Sequence, residues 1–66
     1  MAKIKDLDPK TNLGHLKVKT DKGVIGTWEG QWERGVWLHI DGEREGKITP
    51  IFVDDLKEVL EWEVIE

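Results

Sequence analysis

Between Leu16 and Asp41 apolar and polar side chains alternate with a period of two, interrupted at Asp21-Lys22-Gly23 and at Glu33-Arg34-Gly35. That period belongs to β-strands with one buried face. Each interruption is a three-residue connection ending in glycine, which suits a type I turn followed by a left-handed residue, where glycine costs least. Closing the first turn pairs Thr20 with Val24, Val18 with Gly26 and Leu16 with Trp28; closing the second pairs Trp32 with Val36, Gly30 with Leu38 and Trp28 with Ile40. Both closures put Leu16, Val18, Val24, Trp28, Trp32, Val36, Leu38 and Ile40 on one face, so two separate turns predict a single core. The middle strand, about residues 24–32, carries Gly26 and Gly30 on that face, which predicts a strong bend with Trp28 as the central plug.

The flanking segments are shorter and more polar. Residues 1–15 contain Asp8-Pro9, Thr11-Asn12 and Gly14, turn-forming residues with only Ile4 and Leu7 as a faint apolar pattern. They read as a flexible or loosely packed N-terminal arm, or a short extra strand, ahead of a single domain at 16–66. After the loop Asp41–Gly46, Ile48–Val53 reads as an edge or bulged strand, because Pro50 cannot donate to a ladder. Asp54-Asp55-Leu56-Lys57-Glu58 begins with capping residues and predicts one helical turn. Leu60, Trp62 and Val64 alternate with Glu61 and Glu63 as a final strand.

Five strands, the first three joined by tight turns, predict an all-β fold. The expected form is a small five-stranded SH3-like barrel, a strongly bent antiparallel meander with one short helical turn before the last strand. An OB-fold would want longer strands and a helix between the third and fourth. A three-stranded open sheet with the C-terminus folded across it is the less specific alternative.

Sixty-six residues make one domain, and a chain this short buries only about 60% of the surface its unfolded form exposes. With no cysteine for disulfides, the four tryptophans must supply much of the burial. No apolar run follows the basic start as in a signal peptide, and none has the length of a membrane span. A soluble, cytoplasmic protein is expected.

Charge is uneven. Residues 1–22 hold six lysines against three aspartates, while 23–66 hold four basic and eleven acidic side chains, for a net −4. An acidic chain lacks the usual footprint of a nucleic-acid binder, although Lys17, Lys19 and Lys22 keep that class open.

The outer face of the three strands carries Lys17, Lys19, Ile25, Thr27, Glu29, Gln31, Trp37, His39 and Asp41. Trp37 stands out, because Val36 and Leu38 point inward and its indole must point outward beside Gln31. Tryptophan is the residue type most enriched at binding hot spots. Cover by the N-terminal arm through Leu13, or a homodimer contact, would account for it equally simply. If strand one begins at residue 15, His15, Glu29 and His39 form a row across three strands. Two imidazoles and a carboxylate can ligate zinc, but the spacing matches no metal motif, and a solvated polar row is the simpler reading. No metal or cofactor is expected.

Catalysis is disfavoured by inventory. The chain has no serine, cysteine or tyrosine, and no threonine, lysine or carboxylate adjoins a histidine in a triad-like arrangement. Asp54-Asp55 reads as a helix cap rather than an acid–base pair. A chain this small leaves little room for a ligand cleft of ~300 Å³ or more. The acidic tail Glu58, Glu61, Glu63 and Glu66 can either dock on a partner's sheet or keep an edge strand from unwanted pairing.

The leading expectation is a non-enzymatic protein-interaction or accessory module. It would bind a peptide or partner subunit around Trp37, with Ile25, Thr27, Glu29, Gln31 and His39 as rim. The alternatives are a small nucleic-acid-binding β-barrel using the lysines and Trp37, and a homodimeric structural protein paired through its last strand.

Overall fold

The computed structural model describes residues 2–65. Five strands form one antiparallel sheet: β1 (Lys17–Lys19), β2 (Ile25–Trp32), β3 (Gly35–Ile40), β4 (Thr49–Phe52) and β5 (Glu63–Val64), in the order β4-β3-β2-β1-β5. The fold is all-β, as the alternation predicts. β4 and β5 are the two ends of the order, so the sheet does not close and a complete barrel is not formed.

The first hairpin follows the sequence. Val18 pairs with Gly26, and Thr20 N–H donates to Val24 O at 2.8 Å. Gly23 takes the left-handed conformation at φ 86°, as the three-residue turn requires. Thr20 is buried, and its hydroxyl oxygen accepts from the N–H groups of Lys22 and Val24 at 3.3 and 3.2 Å.

The second hairpin differs. Trp32 pairs with Gly35, so the turn is the two residues Glu33-Arg34 rather than three. Further along, Trp28 pairs with Leu38 and Gly30 with Trp37, which leaves Glu29 as an extra residue in a β-bulge. Period-two alternation cannot see an inserted residue, and one insertion moves every later side chain of its strand to the other face. Trp32 and Gly30, expected in the core, therefore lie on the outer face. Gln31, expected on the outer face, is exposed but shares a face with Val36. Gly35 is needed for close approach rather than for a left-handed turn: a Cβ there would collide with the Ile51 carbonyl oxygen of β4.

The core consists of Ile4, Val18, Trp28, Val36, Leu38, Val59 and Trp62, with Leu13, Leu16, Ile40 and Ile51 among the side chains packed on it. Trp28 and Trp62 meet edge to face, centroids 6.5 Å apart. Val24, expected among the core residues, is half-buried and lines a cleft.

Before β5 lies a 3-10 helix, Leu56–Glu61, where the capping residues predict a helical turn. Asp55 is its cap: its carboxylate accepts from Lys57 N–H at 2.9 Å, and Glu58 reaches back to accept from Asp55 N–H at 3.1 Å. This helix takes up Leu60, which the alternation places in a strand and which is exposed instead. Strand β5 is correspondingly short.

The N-terminal segment runs beside β5. Val64 N–H donates to Ala2 O at 2.7 Å and Ile4 N–H to Trp62 O at 3.0 Å, with Ile4 buried in a short 3-10 turn, Ile4–Asp6. No helix among the described residues is long and apolar enough to cross a membrane.

Candidate functional site: an outer aromatic face

Residues paired directly across neighbouring strands share a face. The outer face therefore carries the rows Lys17–Thr27–His39, Gly30–Trp37–Pro50 and Trp32–Gly35–Phe52. In the last two rows glycines alternate with large rings, so nothing stands between the indoles. Trp32 and Trp37 touch at a centroid distance of 4.7 Å and an interplanar angle of 31°, and Phe52 meets Trp32 edge-on at 5.3 Å. Trp37 is 39% exposed and Phe52 68%. The surface expected around one tryptophan holds two and a phenylalanine.

Trp37 projects on the side opposite Trp28, as the alternation predicts. Leu13 packs on the core rather than over Trp37. Ile25, Thr27 and His39 stand on the same outer face, and Glu29 projects from the bulge into a hollow it shares with His39, Glu45, Lys47 and Ile48. His39 Nδ1 lies 2.7 Å from Lys47 O. A carbonyl only accepts, so Nδ1 carries the proton and Nε2 is the acceptor nitrogen of the neutral ring.

The three residues considered for zinc are not arranged as a row. His39 faces Thr27, Glu29 is displaced by the bulge, and His15 N–H bonds to Trp28 O from a backbone at φ 67°. No cluster of three potential metal-ligating side chains occurs among the described residues.

Four ion pairs join surface charges among the described residues. Lys17 pairs with Asp41 at 2.7 Å and Lys47 with Glu43 at 3.1 Å. Lys3 and Lys5 both reach Glu61, at 3.0 and 3.1 Å. The hydrogen bond from Lys3 holds the Glu61 carboxyl below its ordinary pKa, and the same bond raises that of Lys3. Glu58 serves the helix cap, and Glu66 lies outside the described residues.

Beside β4 is an open cleft of about 560 Å³. It runs between residues 50–54 and the first hairpin, Thr20 to Val24, with Glu58 also lining it. Compactness alone predicts little room for such a cleft; it lies along the edge strand β4. No protein-family model, curated protein or solved structure matches the chain.

Proposed function

We propose that the protein is a non-enzymatic interaction module that holds a segment of a partner protein against the outer face around Trp37. The contiguous aromatic surface of Trp32, Trp37 and Phe52 carries this reading. A short chain has few large apolar side chains for its core, and here three rings lie on the outer face instead. Ile25, Thr27, Glu29 and His39 form the rim, and Gln31 drops out of it. The rings touch one another, so no ligand cation fits between them as in an aromatic cage. What is offered is a flat, largely apolar platform, suited to prolyl or aliphatic side chains of an extended segment. In architecture, the bent five-stranded sheet is read as an SH3-like barrel left open at one seam.

A nucleic acid fits this surface less well. Glu29 and Glu33 adjoin the aromatic rows along the chain, Glu45 lines the neighbouring hollow, and Lys17 is already paired with Asp41. A homodimer through the last strand meets an edge whose backbone groups already bond to residues 2 and 4.

The test compares wild-type and Trp37→Ala proteins as immobilised baits in a lysate of the host, with circular dichroism to show that both are folded. A partner protein retained by the wild type and lost with Trp37→Ala supports the reading. Equal retention overturns it, and a retained species released steeply by salt transfers the case to nucleic acid.

A further inference from the structure

We infer that the free edge of β4 accepts an added strand from the partner, an extended segment in which basic and apolar side chains alternate. This deepens the reading of the Trp37 face, on which it rests for the guest's outward side chains.

Strand parity comes first. Val53 N–H donates to Arg34 O at 2.9 Å, while Phe52 pairs with Gly35 and Ile51 with Val36. Backbone groups in an antiparallel ladder alternate in direction. Ile51 and Val53 therefore turn theirs toward β3, while Pro50 and Phe52 turn theirs away. Proline has no N–H to leave unpaired, so the edge presents the Pro50 carbonyl and both backbone groups of Phe52.

Space and charge come second. The cleft along residues 50–54 is lined by Asp21, Asp54 and Glu58, with Lys22 as the one basic lining residue among the described residues. A strand added about 4.8 Å from β4 would direct alternate side chains to opposite faces. Those beside Ile51 and Val53 would enter the acidic cleft, and those beside Pro50 and Phe52 would join the aromatic platform. Basic residues suit the first set and apolar residues the second.

The opposite edge shows the same chemistry already used within the chain. Ala2-Lys3-Ile4-Lys5 alternates apolar and basic residues, and Lys3 forms a β-bridge with Glu63 of β5. Ala2 O accepts from Val64 N–H, Ile4 N–H donates to Trp62 O as the chain enters its 3-10 turn, and both lysines reach Glu61.

The experiment titrates ¹⁵N-labelled full-length protein with the acetylated, amidated heptapeptide Lys-Val-Lys-Val-Lys-Val-Lys. Edge pairing predicts a shifted Phe52 amide whose hydrogen exchange slows by about tenfold or more, as when a free N–H gains a bond. It also predicts no binding by the peptide with glutamate in place of lysine. Phe52→Pro removes the edge donor without touching the β3 ladder, and Phe52→Ala removes the ring but keeps the donor. The proline variant should bind about tenfold more weakly than the alanine variant. An unprotected Phe52 amide at millimolar peptide, equal binding of the glutamate peptide, or equal affinity of the two variants overturns the inference. If the indole N–H signals of Trp32 and Trp37 shift while the Phe52 amide does not, the edge proposal fails and the aromatic face stands. Protection at Phe52 with unshifted indoles means the reverse.

Discussion

A double-mutant cycle on Trp32 and Trp37 tests the bulge at Glu29 and the face it creates. With the bulge, the two indoles pack against each other at 4.7 Å on the outer surface. Aromatic pairs in such contact are coupled by about 0.5–1.5 kcal/mol beyond their burial. Without the bulge, unbroken alternation puts Trp32 in the core and Trp37 outside, and residues on opposite faces should be additive within about 0.3–0.5 kcal/mol. Singly, Trp32→Ala and Trp37→Ala should each cost about 2 kcal/mol, because both side chains are only partly buried and leave no closed cavity. Trp28→Ala provides the contrast. That side chain is 4% exposed and packs against Trp62, so its loss adds a cavity and costs about 3–5 kcal/mol. For 66 residues, at about 0.05–0.15 kcal/mol per residue, total stability is roughly 3–10 kcal/mol, and Trp28→Ala equals or exceeds the lower end of that range. Urea unfolding followed by far-ultraviolet circular dichroism measures all five proteins without relying on the fluorescence of the residues removed. A Trp32–Trp37 coupling below about 0.3 kcal/mol, or a Trp32→Ala cost matching Trp28→Ala, refutes the outward placement of Trp32.

Three smaller perturbations probe the frame. His15 is exposed yet left-handed at φ 67°. His15→Gly should therefore stabilise by up to about 1 kcal/mol, and His15→Val should destabilise by a similar amount; thermal melts giving the opposite order would contradict the strain. Asp55→Ala removes a carboxylate that caps Leu56–Glu61 and should cost about 1 kcal/mol in urea titration, with Asp55→Asn retaining most of it. The link between Lys3 and Glu61 sets a pH dependence. Glu61 is lowered when folded, so its contribution is full above its unfolded pKa and is lost as pH falls through the folded value. Lys3 is raised, so its contribution is full below its unfolded pKa and is lost as pH rises through the folded value. A ¹³C carboxyl titration should place the Glu61 midpoint below that of an unpaired glutamate, and Lys3→Met should move it up.

Where local chemistry decides, the chain was readable. Asp21-Lys22-Gly23 requires its turn because only glycine takes that backbone angle cheaply, and Val18 opposite Gly26 follows directly. Pro50 marks an edge because it lacks a donor, and β4 lies at one. The cap at Asp55 was readable too, and its partner Glu58 stands at the three-residue spacing of a capping box. What escaped depends on contacts distant in sequence. Gly35 imitates a turn glycine, but its lack of a Cβ serves the approach of Ile51 on the next strand. Glu29 looks like any polar strand residue, and nothing local announces that Trp28 and Gly30 will pair around it. The outward placement of Trp32 and the exposure of Phe52 follow from those two choices, so the aromatic surface was only partly visible. Ile4 reached the core through pairing with a segment nearly sixty residues away, which no local pattern encodes.

The two ends of the sheet are handled differently, and that contrast bears on function. At β5 the unpaired backbone groups are covered by the chain's own residues 2–4, with Lys3 and Lys5 held on Glu61. At β4 no strand lies beyond the edge among the described residues, and an uncovered edge invites indiscriminate pairing. Two features limit that risk without closing the edge. Pro50 deletes one donor, and Asp21, Asp54 and Glu58 repel acidic segments, including a second copy of this chain's acidic C-terminal region. The same features leave the Pro50 carbonyl and the backbone of Phe52 open to a basic strand, next to the platform of Trp32, Trp37 and Phe52. Under the proposal, an edge restricted in this way would discriminate among added strands by charge, whereas an edge covered like that of β5 would admit none. The open edge and the outward rings adjoin through Phe52, so under the proposed strand addition the backbone of β4 would fix the direction of the added strand and the rings would meet its outward side chains.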